Sequence, residues 1–385
     1  MREGWIYKKL KDIGVVVTGN TPSTKDKENY SSDDYCFVKP SDIAKDGVSI
    51  IKDSESYISE KGYNSSRKLP KGSVLTTCIG IIGKVGILEI DATCNQQINA
   101  IIPSRTIFPK YLALAILSVR SHLEAMANAP VVPIINKGVF SNVEIPVPSF
   151  EEQERIVAEL DLLTGIIDKQ KQQLKEFDNL AQSIFYDMFG NPQTDERGWN
   201  KKKLSSICVS ISDGSHNPPK GGEKSDYLML SSKNIKDGVL SLEEPRYLSK
   251  DEFSLENKRT NVKKGDILLT IVGTIGRCCL FDSSKNIVFQ RSVAILKPND
   301  TTNNLFLMYQ MIMLRMVFEN EAKGVAQKGI YLRQLGNIMV IVPPKRLQDS
   351  FAKKIQAIES QKKSINRSIA ESQKLFDYTM DKYFG

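Results

Sequence analysis

Ser149-Phe-Glu-Glu-Gln-Glu-Arg-Ile-Val-Ala-Glu-Leu160 opens a run that continues to Met188-Phe-Gly190, and its spacing decides the fold. Ile156, Leu160, Leu163, Ile167, Gln170, Leu174, Phe177, Ala181, Ile184 and Met188 step by four and three in turn. That is the apolar seam of a heptad helix. Ser149-x-x-Glu152 is a capping box, in which serine accepts a backbone N–H and glutamate returns the bond. Glu151, Glu152 and Glu154 suit the positive end of the helix dipole. Gly190 and Pro192 stop the run.

A second copy of the seam lies about 195 residues later, at Phe351, Ile355, Ile358, Lys362, Ile365, Ile369, Ser372, Phe376, Thr379 and Tyr383. It keeps the register but is more polar. Residues 151–190 carry a net charge of −5 and residues 346–385 a net +3. Opposite charge and matching seams predict that the two helices pair with each other rather than each packing alone on its own domain.

The rest of the chain repeats as well. Trp5…Leu10 recurs as Trp199…Leu204, and Tyr35…Ile43 as Tyr227…Ile235. Asp-Gly-Val follows at Asp46 and at Asp237. Lys71…Thr77 with Gly80 and Gly83 matches Lys264…Thr270 with Gly273 and Gly276. Gln96/Gln97 match Gln290/Arg291, and Lys39/Ser41 match Ser231/Lys233. The offset drifts between 191 and 195 residues, as loop insertions would cause. Before each long helix lie short β-branched runs such as Ile13–Thr18, Gly72–Ile79 and Asp266–Val272. One helical stretch accompanies them, at Lys110–Ala127 and Asn304–Asn320. This reads as a mixed α/β domain with a mainly antiparallel sheet.

The predicted layout is a globular domain over 1–148, a helical spacer over 149–190, a second domain over 191–344 and a C-terminal helical spacer over 345–385. A helix of about 38 residues is about 57 Å long, and a domain of about 150 residues has a radius of gyration near 15 Å. The second domain is therefore expected at the far end of the first helix, with the second helix running back. The expected fold class is α+β: two similar mixed domains joined by two long helices in an antiparallel coiled coil, an internal repeat about an approximate twofold axis.

Composition narrows the function. The net charge is +8, with +3 over 1–150 and +7 over 191–345, which favours nucleic acid as a partner. No Cys-x-x-Cys occurs among the six cysteines and there are only two histidines, so no metal site is expected. Reduced cysteines, no apolar segment long enough to span a bilayer and no signal peptide point to the cytoplasm.

The pattern resembles the type I restriction–modification specificity subunit family over the whole chain. Ile145-Pro-Val-Pro148 followed by Glu151-Glu152-Gln153-Glu154-Arg155-Ile156 resembles that family's proline-rich approach to its central helix. Met188-Phe-Gly-Asn-Pro192 resembles its exit. Thr18-Gly-Asn-Thr-Pro-Ser23 and Asp213-Gly-Ser-His-Asn-Pro-Pro219 resemble the loop near the start of each target recognition domain. In the second copy Leu347-Gln348-Asp349 stands where Glu-Glu-Gln stood. The resemblance implies a chain that binds double-stranded DNA at an asymmetric two-part site and holds two methyltransferase subunits. Motor-nuclease restriction subunits are further implied partners. S-adenosylmethionine, and ATP with magnesium, are then cofactors of the partners and not of this chain.

Catalytic motifs are expected to be absent. Asn217-Pro-Pro-Lys220 lacks the aromatic ring an amino-methyltransferase needs to stack on its target base. Gly80-x-x-Gly83-Lys84 lacks the Ser or Thr of a phosphate loop. Pro298-Asn-Asp300 with Glu321-x-Lys323 is an interrupted nuclease pattern, and His216 is a lone histidine in a polar loop. A fused enzyme would need a further domain, for which the repeat leaves no room. A scaffold binding only proteins would not need two basic, loop-rich domains.

DNA readers use Lys and Arg on phosphates and Asn, Gln, Arg and Ser on base edges. The candidates in the first domain are Asn20, Thr21, Ser23, Lys25, Lys39, Ser41, Lys84, Gln96, Gln97 and Lys137. In the second they are Ser215, His216, Lys220, Lys233, Asn234, Arg277, Gln290, Arg291, Lys328 and Arg333. Glycines 80, 83, 273 and 276 are expected to shape loops. A second stripe on the first helix, Val157, Leu162, Ile166, Phe185 and Phe189, is expected to pack partly on the flanking domains and partly on a methyltransferase.

Overall fold

The computed structural model describes residues 5–127, 132–322 and 329–385. It divides into two compact units, Met1–Gln170 with Arg367–Gly385, and Lys171–Asn366. The boundaries fall inside two 40-residue helices, Phe150–Phe189 and Lys345–Phe384. Each unit thus owns half of each helix.

In the first unit the strands Gly14–Thr18, Ile98–Pro103, Val74–Thr77, Val85–Leu88 and Val48–Ile51 lie side by side in that order. Only the last pair is parallel. Tyr35–Val38 lies between Tyr57–Ile58 and Thr93–Cys94 in a second, three-stranded sheet. Ile6–Lys9 pairs antiparallel with Glu144–Val147, the strand that leads into the long helix. The central strands are buried along their whole length at Val74–Thr77 and Val85–Leu88, as continuous β-branched runs require. The second unit repeats this with Cys208–Asp213, Val293–Pro298, Ile267–Thr270 and Cys278–Leu280, and with Lys201–Lys203 on Met339–Ile341.

The helical stretch expected at Lys110–Ala127 is two helices, Pro109–Ser118 and Arg120–Met126, broken at Val119. Its counterpart is broken at Leu314, between Asn304–Met313 and Arg315–Glu321. The break lets Arg120 donate to the Lys45 carbonyl at 2.6 Å while leucine and isoleucine of the first segment stay in the core.

The long helices pair antiparallel inside each unit. In the first, Arg155 donates to the Tyr383 hydroxyl at 3.2 Å, and Gln170 donates to Ser368 at 2.7 Å. In the second, Lys362 meets Asp178 at 2.7 Å, and the Phe185 and Phe351 rings lie 5.5 Å apart. Every seam position of both helices is buried or half-buried. Burying one such aliphatic or aromatic side chain contributes about 1.5–3 kcal/mol. Of the second stripe, Val157, Phe185 and Phe189 join the cores, whereas Leu162 and Ile166 stay exposed.

Both helices are locked to their domains by one buried glutamine. Gln153 accepts from the Phe108 N–H at 2.9 Å and donates to the Pro148 carbonyl at 3.1 Å. Gln348 does the same to Asn303 and Pro343, at 2.8 Å each. On sequence alone Leu347-Gln348-Asp349 stands against Glu151-Glu152-Gln153. The hydrogen bonds shift that match by one residue, so the glutamine is kept in both copies.

Candidate nucleic-acid interface

The first sheet strand of each unit ends in a pinched crossing. In the first unit Gly19 N–H donates to Ile98 and Asn20 N–H to Cys94, both at 3.0 Å. In the second, Gly214 N–H donates to Val293 at 3.2 Å and Ser215 N–H to Phe289 at 2.8 Å. A Cβ on Gly19 would lie 2.2 Å from the Asn95 oxygen, and on Gly214 2.0 Å from the Phe289 oxygen. Only glycine lets the two backbones approach so closely. The crossing makes Thr18 equivalent to Asp213, Thr21 to His216 and Gln96 to Arg291. This corrects the sequence match of Gln96/Gln97 with Gln290/Arg291 by one residue.

A second loop follows the central strand. Gly80, Gly83, Gly273 and Gly276 all have positive φ, between 76° and 84°. Arg120 and Arg315 lie against Gly83 and Gly276, where a Cβ would meet their Cγ atoms at 2.7 and 2.8 Å. These glycines shape turns, and the Gly80-x-x-Gly83-Lys84 run is such a turn.

In the first unit Thr21 donates to Gln96 Oε1 at 2.5 Å, and Asn20 accepts from the Arg67 N–H at 2.8 Å. Arg67 also donates to the Thr18 carbonyl. Thr21, Ser23, Lys25, Ser41, Gln96 and Lys137 are exposed. Lys39 is half-buried and its ammonium lies 5.7 Å from the Phe37 ring centre. Two candidates bond the scaffold. Lys84 donates to the Pro40 and Ile43 carbonyls at 2.8 Å each. Gln97 accepts from Asn95 at 2.9 Å.

In the second unit Asp213, His216, Arg259, Arg291, Tyr331 and neighbouring apolar residues line a cavity of about 410 Å³. Asp213 is buried. Its Oδ1 meets Arg259 at 2.6 Å and its Oδ2 meets His216 Nε2 at 2.7 Å. A ring nitrogen facing a carboxylate donates. Arg291, Lys220 and Arg333 are exposed. Arg277 and Gln290 are half-buried, and Lys233 pairs with Glu244 at 3.2 Å. Ser215 and Asn234 are buried. Asn234 accepts from the Ser231 N–H at 3.0 Å and donates to the Glu243 carbonyl at 2.8 Å, so it builds the turn. Lys328 lies outside the described residues.

Sequence reasoning passed over Asp213, Arg67, Arg259 and Tyr331. Only the fold brings the two arginines, from segments about 46–49 residues away, onto the carbonyls of Thr18 and Asp213. Among the described residues no group of three or more His, Cys, Asp or Glu could hold a metal ion, and no helix is long and apolar enough to cross a membrane.

A family model described as the type I restriction modification DNA specificity domain matches the chain twice, over residues 2–176 and 196–372. The type I restriction enzyme MjaIX specificity subunit of Methanocaldococcus jannaschii is 25% identical over 389 residues, covering 92% of this chain and 86% of the relative. Among solved structures, one of a type I R-M system, concerned with complex assembly and conformational transition, gives a TM-score of 0.60 at 19% identity. It covers 100% of this chain and 98% of its own. The type I restriction-modification S subunit from M. genitalium gives 0.53 at 14% identity, covering 99% and 96%. At those identities the two structures speak for the fold alone.

Proposed function

The chain belongs to the type I restriction–modification DNA specificity family, and from that premise we propose that it reads an asymmetric, two-part DNA site on behalf of a type I complex. One observation carries the proposal: the two units share one scaffold yet present different side chains at equivalent exposed loop positions. Shared glycines, the Arg120/Arg315 pair and the Gln153/Gln348 pair build the frame. Thr21 and Gln96 in one unit stand where His216 and Arg291 stand in the other. Two readers of the same build with different tips suit two different half-sites around an unspecified gap.

In this reading the chain does no chemistry. Methyltransferase subunits bound to it supply S-adenosylmethionine and methylate adenine, and restriction subunits supply ATP-driven cleavage. Exposed lysine and arginine side chains such as Lys25, Lys137, Lys220 and Arg333 neutralise phosphates, so binding weakens steeply with salt. Exposed Leu162 and Ile166 on the first long helix are offered to a methyltransferase.

The test is to co-express the chain with a cognate type I methyltransferase subunit and map methylated adenines in the host DNA. A single asymmetric motif, lost when this chain is omitted, is expected. Methylation that persists unchanged without it would sink the proposal.

A further inference from the structure

We infer that one equivalent position selects a base in each unit: Gln96 an adenine and Arg291 a guanine. The inference rests on the DNA-specificity reading and adds the identity of the bases.

The fold carries the equivalence. Both residues follow the same crossing, whose backbone hydrogen bonds and glycine pinch are duplicated at Gly19 and Gly214. Arg291 N–H donates to the Ser215 carbonyl at 2.9 Å, fixing its backbone beside the loop that bears His216. Gln96 holds the Thr21 hydroxyl at 2.5 Å, on the loop that follows Thr18. Both side chains are exposed.

Chemistry then separates them. Arginine presents a fork of parallel donors that matches O6 and N7 of guanine, and glutamine presents one donor and one acceptor that match N7 and N6 of adenine. The guanidinium of Arg291 has no hydrogen bond or ion pair among the described residues. Arg259, in the same cavity, is committed to Asp213 at 2.6 Å. Thr21 fixes the Gln96 amide by bonding its oxygen, which leaves Nε2 to donate and a second lone pair on the oxygen to accept. A phosphate contact carries no base preference, so its loss would weaken binding uniformly and leave the motif unchanged.

The experiment maps the methylated motif for the wild-type chain, R291Q, R291K and Q96R, each with the methyltransferase subunit. R291Q is expected to relax or change one base pair in one half of the motif, lowering discrimination there on the order of tenfold to a hundredfold, and R291K, whose ammonium still reaches O6 and N7 of guanine, to weaken it less. The other half stays intact. Q96R is expected to change one base pair in that other half only. Since both side chains are exposed, melting temperatures should match the wild type. An unchanged motif with uniformly weaker methylation in R291Q, rescued in R291K, marks a phosphate contact and overturns the inference. A wild-type chain that directs no motif at all sinks the function itself, and this inference with it.

Discussion

Gln153 was legible as a member of the helix-entry motif and Gln348 as part of the stretch that departs from it, and the structure makes both the bolts between helix and domain. Removing one leaves a backbone N–H and a carbonyl buried without partners, at about 1–3 kcal/mol each. Gln348→Ala is therefore expected to lower the melting temperature of the second unit in calorimetry, with Gln348→Glu no rescue; an unchanged melt would refute it. The cysteines are a second case at this scale. All six are free and buried. Burial pushes Cys78, Cys94, Cys208 and Cys279 up to about 12 and Cys278 well above the ordinary thiol value. The thiolate is the reactive form, so at pH 8 a thiol reagent should consume little before denaturation and six equivalents after it. Fast labelling of the native chain would contradict this. Among the candidate DNA-contacting residues, residue type alone does not separate the exposed Lys25 and Arg291 from Lys84 and Asn234, which bond the scaffold. Whether a lysine faces solvent or two carbonyls depends on loops that come together only in the fold.

At the scale of elements the sequence was most informative where a period runs long. Both helices, their seams and their pairing follow from heptad spacing and charge, and the antiparallel direction from the length of the first helix and the size of the domain after it. The short helices and the one-residue shifts between copies did not, because a repeat match cannot see which backbone groups bond. Lys362 shows what the seam adds. Burial would lower its pKa, but Asp178 at 2.7 Å and Glu359 at 3.0 Å hold it above the usual lysine value. A lysine raised in this way stabilises below the unfolded pKa of about 10.4 and loses that contribution as pH climbs past the folded value. Removing one partner of an ion pair leaves the other charge uncompensated and destabilises, whereas replacing the whole pair by apolar side chains is often neutral. Lys362→Met, which strands Asp178 and Glu359, is accordingly expected to lower the melting temperature at pH 7, and Lys362→Asp to lower it further; an unchanged melt in both would refute the pairing. On the outer face, Leu162 is 70% exposed. Leu162→Glu should leave the melt unchanged and reduce co-purification of a methyltransferase subunit, and full retention would remove Leu162 from that surface. Phe185, once grouped with it, is fully buried and serves the core instead.

For the whole molecule, the compact units do not follow the order of the chain. The core of the first unit includes Tyr383 and Phe384, with Phe376 and Met380 packed against it. Deleting residues 367–385 should therefore speed hydrogen exchange in the distant strands Val74–Thr77 and Ile98–Pro103. Ile267–Thr270 and Val293–Pro298 of the second unit should stay protected. Uniform loss of protection, or none in the first unit, would count against this division. The same feature bears on synthesis. A ribosome adds about 5–20 residues per second, so the segment Lys171–Asn366 keeps the first unit waiting about 10–40 s for its last helix half. During that interval the core that holds Ile156, Val157 and Leu160 lacks Tyr383 and Phe384, and the apolar surface left open is of the kind that chaperones bind. The unit made first is the unit finished last.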